Sequence, residues 1–320
     1  MNKTQLFYFI KLCRPLNLLI IGVTMYFMHF FVIGKLINSF ESENRSAEFL
    51  VTSFDFFLLV FSTILIAGAG YIINDYFDIR IDRINKPEKV IVGKYIKKRV
   101  AMLTHTGMNI VAVGIGIYLS LKYGSWLPVI FHLITTTLLW WYSVQLKRKF
   151  LSGNVVIAIL SGMVPLLVGW FELPGIFEEY KMHLNTINDL NPFAYCFYMI
   201  IVFCIMAITT TLIREILKDM ADVKGDESQN CKTVPIVVGI SKTKYVVNVL
   251  LLGTIFTILG LQIMFFPDTK YAFYIICFVC LPLLISAIIT HKGKERIHFI
   301  RASDFIKISM FAALLFTIIA

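Results

Sequence analysis

The sequence predicts an all-α fold: a polytopic membrane protein of nine transmembrane helices, packed as a bundle built from two related halves. Three observations carry this expectation. Hydrophobic residues make up 58% of the 320 and charged residues 16%, with a mean hydropathy of +0.77, outside the range of soluble domains. Nine apolar runs reach the length needed to cross a bilayer core, about 17–25 residues. An acidic pattern, D-x-x-D-x-x-x-D, occurs twice, as Asp75, Asp78, Asp82 and as Asp219, Asp222, Asp226. The second copy lies 144 residues after the first (219 − 75, 222 − 78 and 226 − 82), a repetition that suggests a duplicated half-unit, although the likeness beyond the aspartates is thin.

The runs fall at about 16–37, 54–74, 100–121, 126–143, 153–171, 193–213, 245–266, 271–290 and 302–320. Lys3, Lys11 and Arg14 precede the first run, which lacks a small-residue cleavage site, so it is read as a retained span and not a signal peptide. The basic residues then set the topology. With the N-terminus and the connections after spans 2, 4, 6 and 8 on one side, that side holds 25 of the 30 Lys and Arg. The other side keeps only Lys35, Arg45, Lys122, Lys181 and Lys270. Positive charge favours the cytoplasmic face, so the N-terminus and both acidic patterns are expected in the cytoplasm and the C-terminus outside. The net charge of +10 follows from this placement and gives no reason to expect a nucleic-acid partner.

The opposite side is acidic, with Glu41, Glu43 and Glu48 in 38–53 and Glu172, Glu178, Glu179 and Asp189 in 172–192, and Pro174, Gly175 and Pro192 read as turns. Asn44-Arg45-Ser46 matches a glycosylation pattern that is common by chance. Cys277-x-x-Cys280 has a metal or redox spacing, but it sits inside an apolar run with no second ligand pair, so packing is expected. Thr209, Thr210 and Thr211 are likewise expected to pack. Residues 1–320 are read as one integral-membrane domain.

The chemistry concentrates in the acidic patterns. At about 100° per residue on a helix, the three aspartates of each pattern fall within an arc of roughly 60°. Like charges so placed destabilise a helix by a few tenths of a kcal/mol per pair, and each triad follows an apolar run directly. Hard cations such as Mg²⁺ take oxygen ligands, usually one or two carboxylates together with substrate phosphates. Arg83, Lys86, Lys89 and Lys94 follow the first triad, Lys224 and Lys232 accompany the second, and Lys147-Arg148-Lys149 closes span 4. Carboxylates interleaved with cations suit a metal-bound diphosphate, although the topology alone also accounts for the basic residues.

Taken together these residues resemble the UbiA superfamily of intramembrane prenyltransferases, over nearly the whole chain. The resemblance rests on Asn74-Asp75-x-x-Asp78-x-x-x-Asp82, the second triad, Arg14-Pro15-x-Asn17, Asn85-x-Pro87 with Gly93, and Tyr142-Ser143 with Leu146-Lys147-Arg148 and Gly153-Asn154. Lys89-Val90-Ile91 departs from the family's usual Arg-Pro-Leu or Arg-Pro-Ile, leaving Lys86 or Lys89 in place of that arginine. The resemblance implies nine helices, with the acidic motifs on cytoplasmic loops after helices 2 and 6, and Mg²⁺-dependent prenyl transfer from a polyprenyl diphosphate to a lipophilic acceptor. Asn74, Asp75, Asp78, Asp82, Asp219, Asp222 and Asp226 would hold two Mg²⁺ ions on the diphosphate. Asn17, Arg83, Lys86, Tyr142, Lys147, Arg148, Lys218 and Lys224 would bind substrate.

Arg214-Glu215-x-x-Lys218-Asp219, with Lys232-Thr233-x-Pro235 and Gly239, is most similar to the branch that adds a second geranylgeranyl chain to geranylgeranylglyceryl phosphate. The quinone and haem-O branches use other acceptors. A secondary transporter would more often carry its ionisable residues near mid-membrane, whereas both triads here lie at the cytoplasmic edge. A non-catalytic lipid-binding protein would not need both triads. The sequence carries no signal for an oligomeric state.

Overall fold

The structure, a computed structural model, describes residues 3–39, 49–180 and 191–319. The Asn44-Arg45-Ser46 pattern, Glu41, Glu43, Glu48, Lys181 and Asp189 lie outside the described residues. The described chain is helical apart from turns and one isolated backbone bridge between Val92 and Ile96. Nine of the described helices are long and apolar enough to cross a membrane: α1 Pro15–Asn38, α2 Ser53–Asn85, α3 Lys98–Tyr123, α4 Leu127–Val144, α5 Ser152–Glu179, α6 Pro192–Ser228, α7 Ile240–Phe265, α8 Thr269–Lys292 and α9 Arg296–Ile319. The all-α, nine-span expectation is met. Helices satisfy their own backbone polar groups, which hydrocarbon cannot do, and the chain is a multi-pass membrane protein.

Several elements outrun the hydropathy that announced them. The second run ended at 74 and the sixth at 213, yet α2 continues to Asn85 and α6 to Ser228. The acidic motifs therefore lie on helices and not on the loops that the family resemblance implied. Hydropathy marks only the lipid-crossing part of a helix, and backbone bonding continues where polar side chains find partners. Pro174 and Gly175 are a second correction. They sit inside the helix Ser152–Tyr180 and make no turn, because a helix tolerates one missing N–H where neighbouring helices support it. Pro192 opens α6, where its missing N–H costs nothing. The run 16–37 bends into a π-turn at Met28–Ile33, and a second π-turn, Ile275–Cys280, contains Cys277 and Cys280. Both thiols are free.

The chain packs as two compact units. The first comprises the described residues of Met1–Ile79, Lys89–Ser143 and Met163–Cys204. Leu12, Ile72, Ile79, Ile91, Val92, Ile96 and Ala101 form an apolar cluster there, joining the N-terminal helix Lys3–Leu12 to α2, the turn after it and the start of α3. Two of its buried carboxylates are partnered within the unit. His29 Nδ1 lies 2.8 Å from Glu172 between the rings of Phe49 and Phe56. Asp55 accepts from Thr52, Tyr118, Lys122 and Tyr123. Glu172, an exterior-loop acid by sequence, is thus a buried helix residue.

The second unit comprises Arg80–Glu88, Val144–Gly162 and the described residues of Ile205–Ala320. Ile213, Ile216, Leu217, Met220, Val247, Leu251, Leu283, Phe299 and Ile306 pack α6 through α9 together. Lipid tails are as apolar as these side chains, so the packing rests on close contact and on hydrogen bonds between helices. Ser286 Oγ donates to Ala302 O at 2.9 Å and Ser309 Oγ to Val279 O at 2.7 Å. Thr211, expected to pack, is buried and donates to Ser161 at 2.9 Å.

Candidate active site

Asn74, Asp75, Asp78 and Asp82 are all partly buried in the C-terminal part of α2. In the first unit Asp75 accepts from Arg14 Nη2 at 2.7 Å. The guanidinium lies over the ring of Tyr71, 4.8 Å from its centroid, within cation–π range. Arg14 has a left-handed backbone, φ 54°, which turns the chain between the helix Lys3–Leu12 and α1. Pro15 opens the new helix, and Asn17 N donates to Arg14 O at 2.9 Å. Earlier, in the helix Lys3–Leu12, Tyr8 stacks on Tyr95 at 3.6 Å. The Tyr95 phenol is held below its ordinary pKa by its hydrogen bond with Tyr8 and by Lys94.

The second unit holds the end of the first motif and all of the second. Asn85, the last residue of α2, clips onto α6: its Nδ2 donates to Asp222 O at 2.9 Å and its Oδ1 accepts from Gly225 N at 2.9 Å. That contact needs a glycine, because a Cβ on residue 225 would stand 2.6 Å from Asn85 Cγ. Lys86, next in sequence, pairs with the Asp222 carboxylate, and Arg296 at the start of α9 approaches the same carboxylate at 3.5 Å. Asp219 accepts from Asn154 Nδ2 at 2.8 Å, and Asp226 is buried, 8% exposed.

The predicted cations are distributed unevenly. Lys147 is partly buried and Arg148 exposed on the turn Leu146–Arg148, which packs against α5 where a Cβ on Gly153 would meet Lys147 Cα at 2.7 Å. Lys232 N donates to Arg148 O at 2.8 Å, tying the segment after α6 to that turn. Lys218 is exposed and pairs with Glu215 on its own helix, while Arg83 and Lys224 are exposed. Tyr142 is partly buried at the end of α4. Sequence reasoning missed Arg14, Asn85, Asn154 and Arg296 as partners of the motif carboxylates and amides. Arg14, Asn85 and Asn154 stood in the motif strings without a partner assigned; Arg296 carried only a topology signal.

Among the described residues no three His, Cys, Asp or Glu side chains converge as a metal-ligating group. The carboxylates whose partners are known meet positive charge or an amide donor, namely Arg14, Lys86, Arg296 and Asn154. The motif donors are carboxylate and amide oxygens, the ligands a hard divalent cation prefers. The donor set therefore fits Mg²⁺, and the neighbouring cations fit the oxygens of a phosphate ester.

Nine described spans, with acidic motifs near the ends of α2 and α6, define a class, the polytopic membrane proteins with carboxylates and cations gathered at helix ends. The chain belongs to the UbiA prenyltransferase family, whose family model matches residues 46–313, and it is a prenyltransferase. It is 32% identical over 226 residues to the digeranylgeranylglyceryl phosphate synthase of Sulfurisphaera tokodaii, covering 71% of this chain and 73% of that one. It is 28% identical over 316 residues to the synthase of that name from Thermococcus kodakarensis, covering 98% and 97%. In fold it resembles a solved digeranylgeranylglyceryl phosphate synthase with a TM-score of 0.64 at 20% identity, covering 98% of both chains. It also resembles a UbiA homolog from Archaeoglobus fulgidus bound to DMAPP and Mg²⁺, with a TM-score of 0.55 at 15% identity, covering 95% and 98%.

Proposed function

We propose that this chain transfers a geranylgeranyl group from geranylgeranyl diphosphate to the free hydroxyl of geranylgeranylglyceryl phosphate, in the ether-lipid branch of its family. The observation that carries the reading is the clip of Asn85 and Lys86 onto Asp222 and Gly225. It brings the end of the first acidic helix against the second acidic motif, where carboxylates and cations interleave. Relatives named for this activity, matching nearly the whole chain, support the choice of acceptor.

Asn74, Asp75, Asp78, Asp82, Asp219, Asp222 and Asp226 would hold Mg²⁺, two ions in this reading, together with the diphosphate. Bound Mg²⁺ would neutralise the diphosphate and make it a better leaving group. The C1–O bond of the donor breaks and its electron pair leaves with the diphosphate. The acceptor oxygen forms the new bond to C1, and its proton passes to a motif carboxylate or to the departing diphosphate. Lys86, Lys147, Arg148 and Lys224 take the charge that develops on the leaving group, with Arg83 and Lys218 at the exposed rim. Asn17 would line the donor side, and Tyr142 would offer an aromatic face to the allylic carbon, where positive charge develops. The apolar helices hold the prenyl chains and exclude water that would capture the allylic carbon. The motifs and the N-terminus face the cytoplasm, the C-terminus lies outside, and the protein works in the cell membrane as one domain.

The test is transfer of label from geranylgeranyl diphosphate by the purified chain in vesicles. With Mg²⁺ a diether phosphate is expected, and it disappears with EDTA and in Asp78→Ala. Undiminished transfer in Asp78→Ala contradicts the assignment of the motif.

A further inference from the structure

Arg214 is a cation for which the mechanism above has no use. It lies in the second unit on α6, before Asp219 and Asp222 in the chain. At 1.5 Å per residue its Cα stands about 7 Å from Asp219 and about 12 Å from Asp222 along the axis, toward the apolar body of the helix. Its Nε is buried and has no hydrogen-bond partner. The acidic side chains near it on α6 are engaged elsewhere: Glu215 with Lys218, Asp219 with Asn154, and Asp222 with Lys86 and Arg296. Two polar links between α5 and α6 bracket it, Thr211–Ser161 at 2.9 Å on one side and Asn154–Asp219 at 2.8 Å on the other. A guanidinium cannot give up its charge, and burying its donor unpaired is costly. Arg214 as a whole is only partly buried, so the rest of its fork is open to an anion.

We propose that Arg214 binds the phosphate monoester of the acceptor lipid, a proposal that rests on the reading of the acceptor given above. Two anionic groups must be held in that reaction, the donor diphosphate and the acceptor phosphate. The diphosphate belongs with the carboxylates and the cations tied to them. Arg214 is tied to neither Asp219 nor Asp222 and stands toward the apolar body of α6, the part of the helix that a lipid acceptor would meet. Its distance fits as well. The acceptor oxygen must come within about 3–3.5 Å of C1, and a three-carbon glycerol backbone at about 1.5 Å per bond then carries its phosphate several ångströms from the diphosphate, comparable with the offset between Arg214 and Asp219. The guanidinium fork matches two phosphate oxygens at once.

The experiment measures KM for each substrate separately, using the full chain in vesicles with Mg²⁺, for the wild type, Arg214→Lys and Arg214→Gln. Arg214→Gln is expected to raise KM for geranylgeranylglyceryl phosphate at least tenfold and leave KM for geranylgeranyl diphosphate within twofold. Arg214→Lys is expected to recover part of the loss. The preference of the wild type for this acceptor over unphosphorylated geranylgeranylglycerol should collapse in Arg214→Gln. Its melting temperature should equal or exceed that of the wild type, because an unpaired buried donor has been removed. A rise in donor KM of the same size overturns the proposal, as does a fall in kcat alone, or a lowered melting temperature with both KM values raised. An effect confined to phospholipid vesicles, and absent in vesicles of phosphate-free glycolipid, assigns Arg214 to bulk headgroups and overturns it too. A wild type that transfers prenyl only to phosphate-free acceptors overturns the function and this inference together. An active wild type with an indifferent Arg214 overturns the inference alone.

Discussion

Asp222 meets two cations from different helices or turns. One carboxylate faces Lys86 and Arg296, while its backbone carbonyl separately accepts from Asn85. Asp222→Asn keeps the backbone contact and removes the charge. It should lower kcat at least about 100-fold, the scale seen when one stabilising group is lost from a reacting site, with little change in melting temperature. Asn85→Ala acts the other way. It removes the two hydrogen bonds to Asp222 O and Gly225 N, and at about 0.5–1.5 kcal/mol each should cost about 1–3 kcal/mol of stability in denaturant unfolding. The six aspartates were legible in the sequence because the pattern repeats at one spacing. Asn85, Asn154 and Arg296 were not legible as their partners, because each pairing joins residues far apart in the chain and exists only after folding.

At the scale of elements, the close approach of α2 and α6 in the second unit rests on Gly225. Gly225→Ala puts a methyl into the Asn85 amide and should cost about 1–3 kcal/mol, as overpacking does, with a fall in activity as Lys86 is displaced. Asn85→Ala removes the obstruction, so the double variant should be less destabilised than the sum of the two single changes. Additive losses in a double-mutant cycle would show that the clip does not set this contact. Hydropathy located every span but misplaced helix ends. It stopped α2 and α6 short of their motifs, because the last turns are polar outside the lipid and are held by partners such as Asn85 and Asn154. It also broke α5 at Pro174, because a local signal cannot register the helix support that lets a proline stay.

At the scale of the whole molecule, the span count and the asymmetry of Lys and Arg were legible, since both follow from the bilayer acting as solvent. The buried pairing of His29 with Glu172 was not, because a glutamate between two apolar runs reads as solvent-facing until a histidine on another helix is brought to it. Topology makes a direct prediction. In sealed right-side-out vesicles, a thiol reagent that does not cross membranes should label Trp126→Cys, in a variant otherwise lacking cysteine, and spare Glu227→Cys until the membrane is opened. The reverse pattern would invert the orientation. The central claim is the acceptor, and the most direct measurement is product identity. Vesicles holding the wild-type chain receive labelled geranylgeranyl diphosphate, Mg²⁺ and equimolar geranylgeranylglyceryl phosphate, 4-hydroxybenzoate and dihydroxynaphthoate, and the lipids are resolved by mass. A digeranylgeranyl ether of glyceryl phosphate as the dominant product is the expected result; label carried only by an aromatic acid would contradict the account.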